Sequence, residues 1–143
     1  MVLDTNVVLD WLVFRDKNTE ALARAVALGA VAWIACPTMR CELARALDYP
    51  AVRRRLTTTP VDVLACFDVL SVAAPEPLAT VAHRLICRDP DDQVFLDLSL
   101  EHSATWLLSH DKLVIELAPR AASFGLWIGP PRGFAAIEPT FNV

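Results

Sequence analysis

Four carboxylates, each framed by apolar residues and spread across the chain, are the side chains best suited to chemistry: Asp4 in MVLDTNVVLDWL, Glu42 in TMRCELARAL, Asp92 in CRDPDDQVFLDL and Asp111 in WLLSHDKLV. Each stands at the end of a strand-like run or on a helix-like one, so a fold can bring them together, and grouped acidic oxygens bind hard divalent cations. Asp at the end of a buried strand is costly to desolvate unless a cation or hydrogen bonds satisfy it. For each carboxylate a plainer reading stays open. Asp4 or Thr5 can cap a first helix, Asp111 can cap a short helix from Lys112, and the Asp89, Asp91 and Asp92 group can serve as an N-cap with favourable helix-dipole charges. Glu42 taken alone is a solvated helical residue, but it borders the apolar stripe of Met39, Leu43 and Leu47, where it can look into a cleft. Asp97 is expected to be exposed.

The elements that position these groups follow from periodicity. Val2 and Leu3 read as a short buried strand that leads into a helix carrying Val7, Val8, Trp11 and Leu12. Asn18 or Thr19 opens a second helix that Gly29 stops, and Ala30 to Cys36 is a compact apolar strand closed by Pro37, which also suits the first turn of the Glu42 helix. A short basic helix over 51–56, another over 60–70 with Val63, Leu64, Phe67 and Leu70 inward, and a strand over 71–74 come next. Residues 93–102 form a helix after the polar turn RDPDD. Thr105 to Leu108 reads as a buried strand, 112–117 as a short helix, and 124–128 as a last strand before a tail, irregular from about 130.

Strands alternating with helices predict an α/β fold, a mainly parallel sheet with helices on both faces. Ligands bind such sheets at the carboxyl ends of the strands, where Asp4 and Asp111 both fall.

The 143 residues fit one domain, and 55% hydrophobic with 21% charged excludes disorder and predicts a packed core. Uncovered apolar surface on so small a domain suits a homodimer or a dedicated protein partner. The net charge of −4 argues against coating nucleic acid by bulk electrostatics. Local recognition stays open, because 11 of the 13 basic residues are Arg, with Arg53, Arg54 and Arg55 in a run. Cys36, Cys41, Cys66 and Cys87 form no CxxC pair and are expected as buried reduced thiols. His83, His102 and His110 lack HxH or HxxxH spacing, which argues against a histidine metal site, and no P-loop, dinucleotide or serine-hydrolase motif occurs. No leader-like or membrane-length apolar stretch is visible, so a cytoplasmic protein is expected.

The set VLDTNVVLDWL, CELARAL and RDPDDQVFLDLSLEHSATWLLSHDKL, with a late short strand, resembles the PIN domain, and more narrowly the VapC-type toxins of bacterial toxin–antitoxin systems. The likeness runs from Val2 to about Gly133; each motif alone is weak, and their order and spacing carry it. It implies a three-layer α/β/α sandwich whose acidic residues hold Mg²⁺ or Mn²⁺ and cut single-stranded RNA, with an antitoxin protein as partner. On that resemblance Asp4, Glu42, Asp92 and Asp111 are the catalytic metal ligands. Thr5, Asn6, Asp89 and Ser109 support them, and Asp89, Asp91 and Gln93 lie within register reach of the third position. Arg40, Arg45 and Arg53 to Arg55 are candidates for holding the RNA backbone, against a solvated basic helix face. The rival is a catalytically inactive PIN-like module that binds protein or RNA. A phosphotransferase using Asp4 as nucleophile is disfavoured, since Asn6 stands where a second Asp is usual.

Overall fold

In the computed structural model, which describes residues 1–78 and 85–137, five short parallel strands form the centre. They are β1 (Val2–Leu3), β2 (Trp33–Ala35), β3 (Ser71–Ala73), β4 (Trp106–Leu108) and β5 (Trp127–Gly129). β4 lies between β1 and β5, with Val2 opposite Leu107 and Leu107 opposite Ile128. β2 pairs with β3, Trp33 opposite Ser71. The two ladders meet at Met1, whose amino group donates to the Ala32 carbonyl and whose carbonyl accepts from Ile34 N–H, both at 2.9 Å. The strands therefore run in the order β3-β2-β1-β4-β5. The chain winds outward from β1 on one side, then returns to build the other, so the direction of winding reverses between β1 and β4. Crevices form at such a reversal because successive connections leave it on opposite faces.

The helices are α1 (Thr5–Leu12), α2 (Glu20–Ala27), α3 (Pro37–Ala46), α4 (Pro50–Arg53), α5 (Pro60–Leu70), α6 (Gln93–Glu101), α7 (Lys112–Ile115), α8 (Ala118–Ala121) and α9 (Pro131–Ile137). α1 packs on α3 and α3 on α5, while α6 lies against β1 and β4, and α7 and α8 against β5. The result is the three-layer α/β/α arrangement. Local chemistry explains the boundaries. Pro37, Pro50 and Pro60 each stand in a first turn, where the missing N–H leaves no helical bond unmade. Thr59 and Asp62 exchange capping-box bonds at the start of α5. Gly29, at φ +70°, follows the end of α2 in a conformation that a side chain would strain.

The core strands are apolar on both faces: Val2, Leu107 and Leu108 are fully buried, as a sheet covered on two sides requires. Trp33 packs between Trp11 and Phe67, with ring centroids at 5.4 and 5.0 Å. Met39, Leu43 and Leu47 form the predicted inward stripe of α3. On α5, Val63 and Phe67 are buried while Leu64 and Leu70 are half-buried.

Four expectations need correction. The tail is not irregular from 130: Pro131–Ile137 is helical, with Phe134 fully buried 4.9 Å from the Trp106 ring. Ala118–Ala121, unassigned from sequence, is a helix. Cys41 and Cys66 are exposed, unlike Cys36 and Cys87, because both project from the outer faces of α3 and α5. Asp97 is 8% exposed, since α6 is covered so fully that residues 95–99 are all buried. Among the described residues no helix is long and apolar enough to cross a membrane. His83 lies outside them.

Candidate metal centre

The floor of the site is the carboxyl edge of β1 and β4. Asp4 follows Leu3, and its own N–H donates to the Leu108 carbonyl at 3.0 Å, so the ladder fixes its position. Its side chain is only 5% exposed. One carboxylate oxygen accepts from Val7 N–H at 3.0 Å, capping α1, and the other accepts from the Ser109 hydroxyl. Burial pushes the Asp4 pKa up, and these two bonds oppose that rise without cancelling it. Capping and metal binding are compatible here, because two accepted bonds leave about two of a carboxylate's four lone-pair sites free.

Asp111 caps α7 through Leu113 N–H at 2.8 Å, and its own N–H donates to Ser109 Oγ at 3.0 Å. Ser109 thus ties the acid of β1 to the acid that follows β4. From the other side comes the 3₁₀ turn Pro90–Asp92, whose preceding residue Asp89 accepts from Asp91 N–H at 2.9 Å. One oxygen each from Asp89, Asp92 and Asp111 lie within 4.8 Å of one another.

Asp92 is the most perturbed of the three. Its pKa is raised to about 7, first by burial, then by the adjacent Asp111 carboxylate, with Asp89 and Asp4 adding to the field. One of its carboxylate oxygens is buried with no hydrogen-bond partner. Such an orphan is expensive in a native fold and calls for a cation or water. The donor set suits a hard cation, since Mg²⁺ prefers carboxylate and water oxygens.

Asp4, Asp91, Asp92 and Asp111 border a cleft of about 350 Å³. Glu42 enters it from α3, held by Thr5, whose hydroxyl donates to Oε2 at 3.0 Å. Thr5 and Asn6 line it as well, and Arg45 and Tyr49 form the wall beyond Glu42. The sequence-derived acids Asp4, Glu42, Asp92 and Asp111 therefore converge on one cleft, with Glu42 outside the tight trio. Asp89, placed among the supporting residues from sequence, stands inside that trio.

Gln93 is no part of the cluster. Its amide nitrogen donates to the Leu85 carbonyl and to Asp97, both at 2.9 Å, and its oxygen accepts from Cys87 N–H at 2.8 Å. It pins the segment before Asp89 onto α6 and gives buried Asp97 its partner.

The arginines divide. Arg45 lines the cleft and makes no ion pair among the described residues. Arg40 forms a two-pronged pair with Asp68 at 2.8 and 2.9 Å, and Arg53 pairs with Asp48 at 2.7 Å. Arg54 donates to the Pro50 carbonyl, and Arg55 sits 4.2 Å over the Phe14 ring. None of these four borders the cleft. Tyr49 was not singled out from sequence; its signal was an aromatic one helical turn beyond Arg45, at a helix end before proline.

A carboxylate-lined crevice at the switch point of a parallel α/β/α sheet defines a protein with an acidic cleft whose oxygen donors suit divalent cations. The chain belongs to the PIN domain family, whose model matches residues 1–113 and so takes in all the acids of the cleft. PIN domains are generally nucleases that depend on divalent metal. No curated protein and no solved structure matches the chain.

Proposed function

We propose that the protein is an endoribonuclease that hydrolyses phosphodiester bonds of single-stranded RNA with Mg²⁺ or Mn²⁺, and that it is the toxin of a toxin–antitoxin pair acting on cytoplasmic RNA. The observation that carries the catalytic reading is the unpartnered oxygen of Asp92 beside Asp89 and Asp111, in a cleft that Asp4 and Glu42 also line. The toxin reading rests on the motif order VLDTN, CELARAL and DPDDQVFLDL, and on it the chain has an antitoxin protein as partner.

Asp89, Asp92 and Asp111 would hold the ion, with Asp4 and Glu42 adding negative charge nearby. The bound cation supplies a lowered pKa for attacking water and charge compensation at phosphate. Everything else falls to the chain's own side chains. Ser109 keeps Asp4 and Asp111 in fixed relation, and Thr5 orients Glu42. Asp92 would have to be deprotonated to hold the ion, as metal ligands must be. Arg45 attracts the phosphate, which five neighbouring carboxylates would otherwise repel.

Cleavage of single-stranded RNA, followed with wild type, Asp4→Asn and Asp92→Asn under Mg²⁺ or Mn²⁺, tests this. Metal-dependent cutting by wild type, lost in both variants, supports the reading. Equal cutting by all three would trace the activity to a contaminant or to another site.

A further inference from the structure

Tyr49 stands out on the cleft wall, because the residue is 60% exposed although it borders the acidic cleft. Exposed aromatics near a charged site need a reason, since ring burial is among the largest sources of folding free energy. The ring pairs with no other aromatic among the described residues. Its mount, in contrast, is rigid. Tyr49 N–H donates to the Ala46 carbonyl at 3.1 Å, and its own carbonyl accepts from Val52 and Arg53 N–H at 3.0 and 2.9 Å. The residue is thus the hinge where α3 ends and α4 begins, and Pro50 restricts it to the extended φ −65°, ψ 134°. An open face on a backbone fixed from both sides is a preorganised platform.

Arg45, near the end of α3, lines the same cleft, so a phosphate-binding charge and an exposed aromatic ring border one site. Asp92 and Asp111 line the same cleft. We infer that Tyr49 is the base-stacking residue of this site: a nucleotide adjoining the cleaved bond lays its base on the Tyr49 ring, while Arg45 holds the phosphate over the acids. This rests on the nuclease reading and adds to it a physical source of strand selectivity. A base in a duplex has both faces covered by its neighbours, whereas an unpaired base offers one to the ring, and such stacking tolerates any sequence.

The test compares wild type with Tyr49→Ala, Tyr49→Phe and Tyr49→Trp in steady-state cleavage of a mixed-sequence single-stranded RNA with Mn²⁺. Mn²⁺ affinity is measured separately by calorimetry. Loss of one base–aromatic stack, about 1–3 kcal/mol, corresponds to a rise in KM of roughly 5- to 150-fold. Tyr49→Ala is expected to show that rise with Mn²⁺ affinity unchanged and kcat within a few-fold, and Phe and Trp are expected to restore KM. Wild-type KM in Tyr49→Ala, or a defect in Tyr49→Phe as large as in Ala, overturns the stacking role while leaving the nuclease reading in place. A wild-type protein that binds Mn²⁺ but cleaves no single-stranded RNA overturns the nuclease reading itself, and the stacking role with it.

Discussion

The Ser109 hydroxyl donates to the buried carboxylate of Asp4, 105 positions away in sequence, while accepting from the N–H of Asp111 at 3.0 Å. A single side chain therefore couples the ends of two adjacent strands, β1 and β4, at the point where the sheet's winding reverses. Asp4 needs this bond, since a carboxylate 5% exposed has lost nearly all its water.

Ser109→Ala removes that donor and leaves Asp4 with the Val7 N–H alone. The expected cost is about 1–3 kcal/mol, the usual penalty for stranding a buried polar partner. Weaker Mn²⁺ binding by roughly 10- to 100-fold should accompany it, as when a residue orienting a metal ligand is lost. Thermal unfolding and calorimetric titration read the two effects separately.

Asp92 makes the metal-free protein sensitive to pH. Its folded pKa of about 7 exceeds the ordinary value of 3.8, so between these values the folded chain binds more protons than the unfolded one. Stability is therefore greatest below pH ~4 as far as this group is concerned, and falls as pH rises toward 7. The slope should lie below the ~1.4 kcal/mol per pH unit of one fully linked proton, because the side chain is half-buried and solvent screens part of the repulsion. Mn²⁺ reverses the trend: its affinity should rise by up to about tenfold per pH unit toward pH 7, as one proton leaves for each ion bound. Denaturant titrations across pH 4.5–7.5, with and without Mn²⁺, show whether the slope changes sign.

Gln93→Leu deletes three hydrogen bonds at once, leaving the Leu85 carbonyl, the Cys87 N–H and Asp97 without their partner. A loss of about 1–3 kcal/mol is expected for the groups so stranded. Because the segment it pins leads directly into Asp89, Mn²⁺ affinity should also fall. Unchanged affinity would mean that the Asp89–Asp92 turn holds its shape without this strut.

Phe134→Ala tests whether α9 belongs to the core. The ring is fully buried on α9 against Trp106, and truncating such a Phe costs about 3–5 kcal/mol. A change below ~1 kcal/mol in urea unfolding would place that helix outside the cooperative unit.

Much of this architecture is legible in sequence because each strand is a short apolar run that ends at a polar or proline residue, as at Leu3-Asp4, Cys36-Pro37 and Leu108-Ser109. Asp4 and Asp111 could be placed on one edge from the parallel topology alone. Asp92 against Asp89 could not be separated by spacing, and the fold brings both to the trio by turning the chain through Pro90. Periodicity failed where burial is two-sided: α6 has no solvent stripe, so Asp97 looked exposed in sequence and is instead satisfied by Gln93. It failed again at the C-terminal end, where Pro130, Pro131 and Gly133 read as an irregular segment. Pro131 in fact opens a helix, and Gly133 makes room, since a Cβ there would lie 2.8 Å from the Trp127 ring. The arginine run 53–55 suggested a nucleic-acid face, yet its members turn to Asp48, Pro50 and Phe14, while isolated Arg45 reaches the cleft.

The central claim is that Asp89, Asp92 and Asp111 form a cation site, and anomalous scattering from a crystal soaked in Mn²⁺ tests it most directly. The expected result is a manganese peak within coordination distance of Asp92 and Asp111, occupying the space before the unpartnered Asp92 oxygen and absent from Asp92→Asn crystals. A peak elsewhere with this cluster vacant, or a site unchanged by Asp92→Asn, would contradict it.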